Sequence, residues 1–175
     1  EKMGQYLDQM RETDGHIYQL AGLNECYHCQ YARKMWVNTK YLDEMGVDVP
    51  QTTQEFYDVC KKFVETYPDK IAIGGASSGW YVDFVAWLMG SFTLDSGEYG
   101  KLALTPDGEM VSAATTEEWR EGLRYIKSLY DIGAIYDGNF TQDSEQLRTI
   151  MNQEDVPVLF VPFGTISDGI DSDSN

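Results

Sequence analysis

Three cysteines and two histidines pose the first chemical question. Cys26-Tyr27-His28-Cys29 sets two residues between a pair of thiols, the spacing shared by zinc knuckles, redox dithiols and small disulfides. A tetrahedral zinc site needs two further ligands, and the chain offers only His16 and Cys60, the latter on the apolar face of a helical pattern. No metal or other cofactor is therefore expected. A catalytic dithiol needs a depressed thiol pKa, usually supported by a helix N-terminus. His28 lies between the pair, but no convincing βαβ frame surrounds it. A thiol-disulfide oxidoreductase centred on Cys26 and Cys29 stays open as an alternative, beside a short-range Cys26–Cys29 disulfide or two packed thiols. Cys60 reads as a small buried hydrophobe.

A second candidate is aromatic. Trp36, Trp87 and Trp119 sit inside patterned elements, where packing is the default explanation. Trp80 differs, because it follows Gly74-Gly75-Ala76-Ser77-Ser78-Gly79 at a predicted loop-to-helix junction and is adjoined by Tyr81. Loops after strands carry ligand contacts in α/β proteins, and an indole there can stack on the apolar face of a sugar ring or another flat solute. Free amides at the start of the helix could bond a hydroxyl or carboxylate. The alternative is a simple packing staple. The glycine-rich run lacks the Lys-Ser/Thr ending of a phosphate loop. Neither Gly-x-Ser-x-Gly nor His-Glu-x-x-His is present. Carboxylates are too numerous for a glycosidase pair to be singled out. Asn139-Phe140-Thr141 fits the N-glycosylation pattern.

The elements that must position these residues alternate between helix and strand. Met3, Tyr6, Leu7 and Met10 repeat at helical spacing, and Asp14-Gly15 separates them from a strand-like run over 17–20. Residues 35–38 read as a strand and 46–50 as a linker. Thr52 and Glu55 form a capping box, which opens a helix with Phe56, Val59, Cys60, Phe63, Val64 and Tyr67 on one face and Pro68 as its stop. Residues 71–73 read as a buried strand, 74–79 as a flexible loop and 80–92 as a buried helix. Thr105-Pro106-Asp107-Gly108 predicts the turn of a β-hairpin over 102–113. Thr115 and Glu118 read as a second capping box, for a helix burying Trp119, Leu123, Ile126 and Leu129 and closing near Gly133. Asp143 caps a shorter helix through Met151, and 156–163 is a β-rich run interrupted by Pro157 and Pro162. The fold class is α/β, short strands between helices with a hairpin excursion.

Composition narrows the function classes. Thirteen Lys and Arg against twenty-nine Asp and Glu leave a net charge of −16, which repels a phosphate backbone and an anionic lipid surface. Nucleic-acid binding is excluded on that ground, and peripheral membrane docking is disfavoured. With 42% apolar and 13% aromatic residues the chain has too much core material for an acidic disordered segment. No run approaches the roughly 18 apolar residues of a membrane span, and no signal-peptide pattern opens at Glu1. The start reads as trimmed.

Residues 35–56 resemble a motif of the family 1 extracellular solute-binding proteins, a maltose-binding-protein-like family. The match runs through Trp36, Asn38 and Leu42, then Gly46-Val47-Asp48-Val49-Pro50, then Thr52, Thr53, Glu55 and Phe56. Residues 14–22 are similar to the strand that approaches the family's hinge, and 121–135 to the helix before its second-lobe substrate strand. The resemblance covers about three quarters of the chain.

What it implies is a second-lobe fragment of the substrate-binding component of an ABC importer, one lobe of a type II periplasmic-binding-protein-like fold. The implied organisation is a leading helix over 1–13 from the first lobe, a hinge-approach strand over 14–24, the α/β lobe over 25–167 and a polar tail over 168–175. The implied function is capture, without catalysis, of a small solute, most readily a sugar or oligosaccharide, and its delivery to a membrane permease. A carbohydrate-binding module outside transport is a further alternative. The implied location is extracytoplasmic, in the periplasm or as a cell-surface lipoprotein. Trp80, with Tyr81 beside it, matches the place of an aromatic that stacks on sugar in the family. Asn24, Glu25, Tyr27 and His28 fall in a loop bordering the family's cleft and are implied hydrogen-bond partners. Relatives often carry an aromatic just after the position of Gly164; here Thr165 stands there, with Phe163 either the substitute from the other side or a core residue.

Overall fold

The computed structural model describes residues 4–20, 22, 33–93, 102–105 and 107–171. The chain divides into two units, Glu1–Tyr31 and Ala32–Asn175. In the first, Gly4–Met10 forms a 3-10 helix in place of the expected α-helical turns. A tight turn follows, in which the Asp14 carboxylate accepts from the His16 amide at 2.9 Å and the Tyr18 hydroxyl at 2.6 Å. The Tyr18 bond first, and the His16 amide second, hold the Asp14 carboxyl below its ordinary range. The expected strand over 17–20 joins no ladder, and Tyr18 and Leu20 are exposed. A strand persists only with a hydrogen-bonded neighbour, and this segment has none among the described residues.

The second unit is built on a three-stranded sheet in the order β1–β5–β2, formed by Lys34–Val37, Val158–Phe163 and Ile71–Ile73. Strand β5 is antiparallel to β1, with Lys34 opposite Phe163, and parallel to β2, with Ile73 opposite Phe160. Every residue of β5 is buried, as a central strand covered on both faces requires. Pro162 lies past the last β2 partner, where its missing amide breaks no ladder with that strand.

Helices α1 (Thr39–Met45), α2 (Thr53–Thr66), α3 (Phe84–Met89) and α4 (Glu117–Asp131) supply one apolar cluster with Phe56, Phe63, Leu88 and Leu129 at its centre. Helix α5 (Ser144–Met151) and the loop after β2 supply the other, around Leu147, Val161 and Phe163. The capping box of α2 forms as read: Glu55 N donates to Thr52 Oγ1 at 3.1 Å and Thr52 N to Glu55 Oε2 at 3.2 Å. The Asp143–Gln146 box does the same for α5. The hairpin pairs β3 (Leu102–Leu104) with β4 (Met110–Ser112), Leu102 opposite Ser112.

Three expectations change. The N-cap of α4 is Thr116, whose hydroxyl accepts from Trp119 N at 3.3 Å, while Thr115 closes the preceding 3-10 turn, its hydroxyl donating to Ser112 O at 2.8 Å. Leu123 is 46% exposed, and the buried face of α4 is instead Trp119, Gly122, Ile126 and Leu129. The helix expected over 80–92 shrinks to Phe84–Met89, capped by Asp83. No helix among the described residues is long and apolar enough to cross a membrane.

Candidate functional site

The parallel pair β2 and β5 ends on the same side as β1 begins, because Lys34 is opposite Phe163 and Ile73 is opposite Phe160. In open α/β sheets ligands bind outside the carboxyl ends of such strands. Three segments meet there: Arg33 and Lys34, the loop over 74–83 and the turn after Phe163.

The loop is braced, not flexible as its composition suggested. Gly74 N donates to Phe160 O at 2.8 Å and Ala76 N to Val82 O at 3.0 Å, closing the loop on itself. The buried Gln142 side chain donates to Gly75 O at 2.5 Å, while Ser77 gives both its amide and its hydroxyl to Gln142 O at 2.9 Å. Gly79 has φ +131°, and a Cβ there would lie 2.6 Å from that of Ser144, so no other residue fits this backbone and space together. Tyr81 follows with φ +55°, the one non-glycine positive φ among the described residues. Such conformations cost energy and cluster at functional sites.

Trp80 emerges from this loop 52% exposed, with its ring centroid 5.0 Å from that of Tyr81. It sits in a bend three residues before the Asp83 cap, so the free helix amides expected beside it are not there: Asp83 Oδ1 accepts from Val85 N and Ala86 N. Next to Tyr81 a cleft of about 170 Å³ is lined by Arg33, Lys34, Asp83, Trp87 and Pro162. The Arg33 guanidinium donates to Ala86 O at 3.4 Å and the Lys34 ammonium to Gly164 O at 2.7 Å. Two cations and a carboxylate around one small cleft offer donors and acceptors together, which suits hydroxyls better than a solute of single charge. Sequence reasoning missed all three. Asp83 was legible as an N-cap just before an apolar run, but Arg33 and Lys34 gain meaning only from the β1–β5 register.

Of the residues read from sequence, Trp80, Tyr81 and Thr165 come to this end of the sheet. Phe163 does not serve there: its ring is fully buried in the second cluster, packed against Gly169. Thr165 is half-buried, its amide donating to Asp168 Oδ2 at 2.8 Å and its hydroxyl bonded to Asp168 and Ser167. Asn24, Glu25, Tyr27 and His28, with Cys26 and Cys29, lie outside the described residues. Asn139, the glycosylation candidate, is 1% exposed and donates from Nδ2 to Ile73 O at 2.9 Å, which makes it a core residue. Cys60 is buried and free, and burial pushes its thiol well above the ordinary range. Among the described residues no group of three or more His, Cys, Asp or Glu gathers to hold a metal ion.

Residues 3–172 match the family described as bacterial extracellular solute-binding proteins. The chain belongs to this family. The fructooligosaccharide ABC transporter substrate-binding protein FusA of Streptococcus pneumoniae serotype 4 is 25% identical over 150 residues, covering 79% of this chain and 28% of FusA. Lipoprotein LipO of Bacillus subtilis is 30% identical over 115 residues, 58% of this chain and 21% of LipO. The structure of S. pneumoniae FusA in complex with kestose superposes with a TM-score of 0.77 at 22% identity, over 96% of this chain and 36% of that one. The chain thus spans under a third of the curated relatives it matches, and its fold is that of part of a solute-binding protein.

Proposed function

We propose that this chain is a solute-gripping lobe of an oligosaccharide-binding protein that serves an ABC importer. The observation that carries the reading is the half-exposed Trp80 ring at the carboxyl ends of β2 and β5, packed on Tyr81, which lines the cleft of Arg33, Lys34 and Asp83. The indole offers a flat apolar face for a sugar ring, and the charged side chains offer partners for its hydroxyls. Closure of a second lobe over this surface excludes water and presents the loaded protein to a membrane permease. The chain then captures and releases solute without chemical turnover. Its setting is extracytoplasmic, either periplasmic or as a lipid-anchored surface protein, in keeping with the names of the family and of LipO.

Family membership favours capture over a dithiol enzyme at Cys26 and Cys29 or a carbohydrate module outside transport. Calorimetric titration of the intact protein with kestose tests the reading. Binding is expected, and Trp80→Ala is expected to weaken it roughly tenfold or more, since aromatic stacking plus lost burial is worth about 1.5–3 kcal/mol. Absence of saccharide binding, or an affinity indifferent to Trp80, would sink it.

A further inference from the structure

We propose that Gly164 is a positioning residue for Trp80: its missing side chain, together with the left-handed backbone at Tyr81, fixes the orientation of the indole at the end of β5. This rests on the reading of Trp80 as the stacking platform.

A Cβ built on Gly164 would lie 2.8 Å from Trp80 Cζ3, 2.9 Å from Cε3 and 3.2 Å from Tyr81 Cδ2. Non-bonded carbons prefer about 3.5–4.0 Å, so both rings occupy the space where a side chain would begin. Gly164 is not among the glycines of positive φ, so its own backbone does not demand glycine. The demand comes from the rings. Nor can the strand end retreat beneath them. Lys34 Nζ donates to Gly164 O at 2.7 Å, Trp36 Nε1 to Phe163 O at 3.2 Å and Thr165 N to Asp168 Oδ2 at 2.8 Å.

On the other side of the contact Tyr81 holds a positive φ, and the two rings lie at 56° to each other, both within 3.2 Å of the place where a Gly164 Cβ would stand. The Ala76–Val82 bond and the Gly79–Ser144 contact hold the loop from which they project. With Gly164 against its Cε3 and Cζ3 atoms, the indole is held in place while about half of its surface stays exposed. Such fixing lowers the ordering cost of binding. Residue 164 thereby sets the tilt of the platform, and with it the saccharide face that can stack.

The test labels the intact protein with 5-fluorotryptophan, the Trp80 signal being assigned by Trp80→Phe. In unliganded Gly164→Ala the Trp80 fluorine signal is expected to move while those of Trp87 and Trp119 hold, and kestose affinity is expected to fall at least tenfold. An unmoved Trp80 signal, or an affinity within twofold of the parent, overturns the proposal. If the parent binds no saccharide, the functional reading fails and the fluorine signal alone decides the placement. If Gly164→Ala does not fold, the Trp80→Ala/Gly164→Ala double variant decides: restored folding supports the contact, and continued failure overturns it.

Discussion

Asn139 shows how one residue can carry a functional signature and serve the core instead. Its Nδ2 holds the Ile73 carbonyl at the end of β2, the strand from which the Trp80 loop departs. That carbonyl also receives Tyr136 N at 3.3 Å. Asn139→Ala removes a buried donor from that carbonyl, and the expected loss is about 1–3 kcal/mol of unfolding free energy, read by urea denaturation. A change below 0.5 kcal/mol would refute that role. The place of Trp80 and Tyr81 in a loop at the strand end was legible at the residue scale, because the glycine-rich composition marks the loop without tertiary information. Phe163 stayed open between cleft and core because an aromatic at a strand end can face either, and its full burial against Gly169 decides for the core. Arg33 and Lys34 were illegible for the opposite reason: their relevance depends on a partner strand more than a hundred residues away.

Elements were legible where their ends are settled by neighbouring residues. The Thr52–Glu55 box closes within four positions and forms as read, whereas the start of α3 depends on the Ala76–Val82 tie and the turn at Tyr81. For α4 two adjacent threonines compete, and the structure assigns the cap to Thr116. Thr116→Ala is expected to cost about 1 kcal/mol and Thr115→Ala clearly less; a reversed order in denaturant midpoints would contradict the assignment. Asp155, just before β5, ties two other elements by accepting from Lys70 at 2.6 Å and Lys40 at 3.1 Å. The Lys70 bond first, then that of Lys40, holds its carboxyl below the ordinary range. A depressed carboxyl contributes stability above its unfolded pKa and loses it as pH falls through the folded one, so the effect lies below the ordinary carboxylate range near pH 4. Asp155→Asn is therefore expected to lower Tm slightly at neutral pH, since the pair is exposed, and to converge with the parent toward pH 2. A constant difference in Tm from pH 7 to pH 2 would exclude the ion-pair explanation.

At the scale of the molecule, the −16 charge and the position of the site bear on the same question of what the chain does alone. The charge is a self-repulsion spread over a small body and adds no attraction for a neutral saccharide. The affinity must then come from local contacts. On the proposed reading those are the exposed Trp80 indole and a nearby cleft of about 170 Å³, both open to water. Binding sites usually bury most of a ligand's surface, and an open platform leaves the opposite face of the sugar hydrated. Association also costs several kcal/mol of lost freedom before any contact shows as affinity. A single stack and a few solvent-competed hydrogen bonds scarcely exceed that cost. The 175-residue chain is accordingly expected to bind kestose with a Kd of about 1 mM or weaker, near −4 kcal/mol, while the intact protein binds far more tightly. Calorimetry on both proteins in the same buffer checks this. Micromolar affinity in the 175-residue chain would mean that the Trp80 end of the sheet already forms a complete site, and the two-lobed mechanism would have to be abandoned.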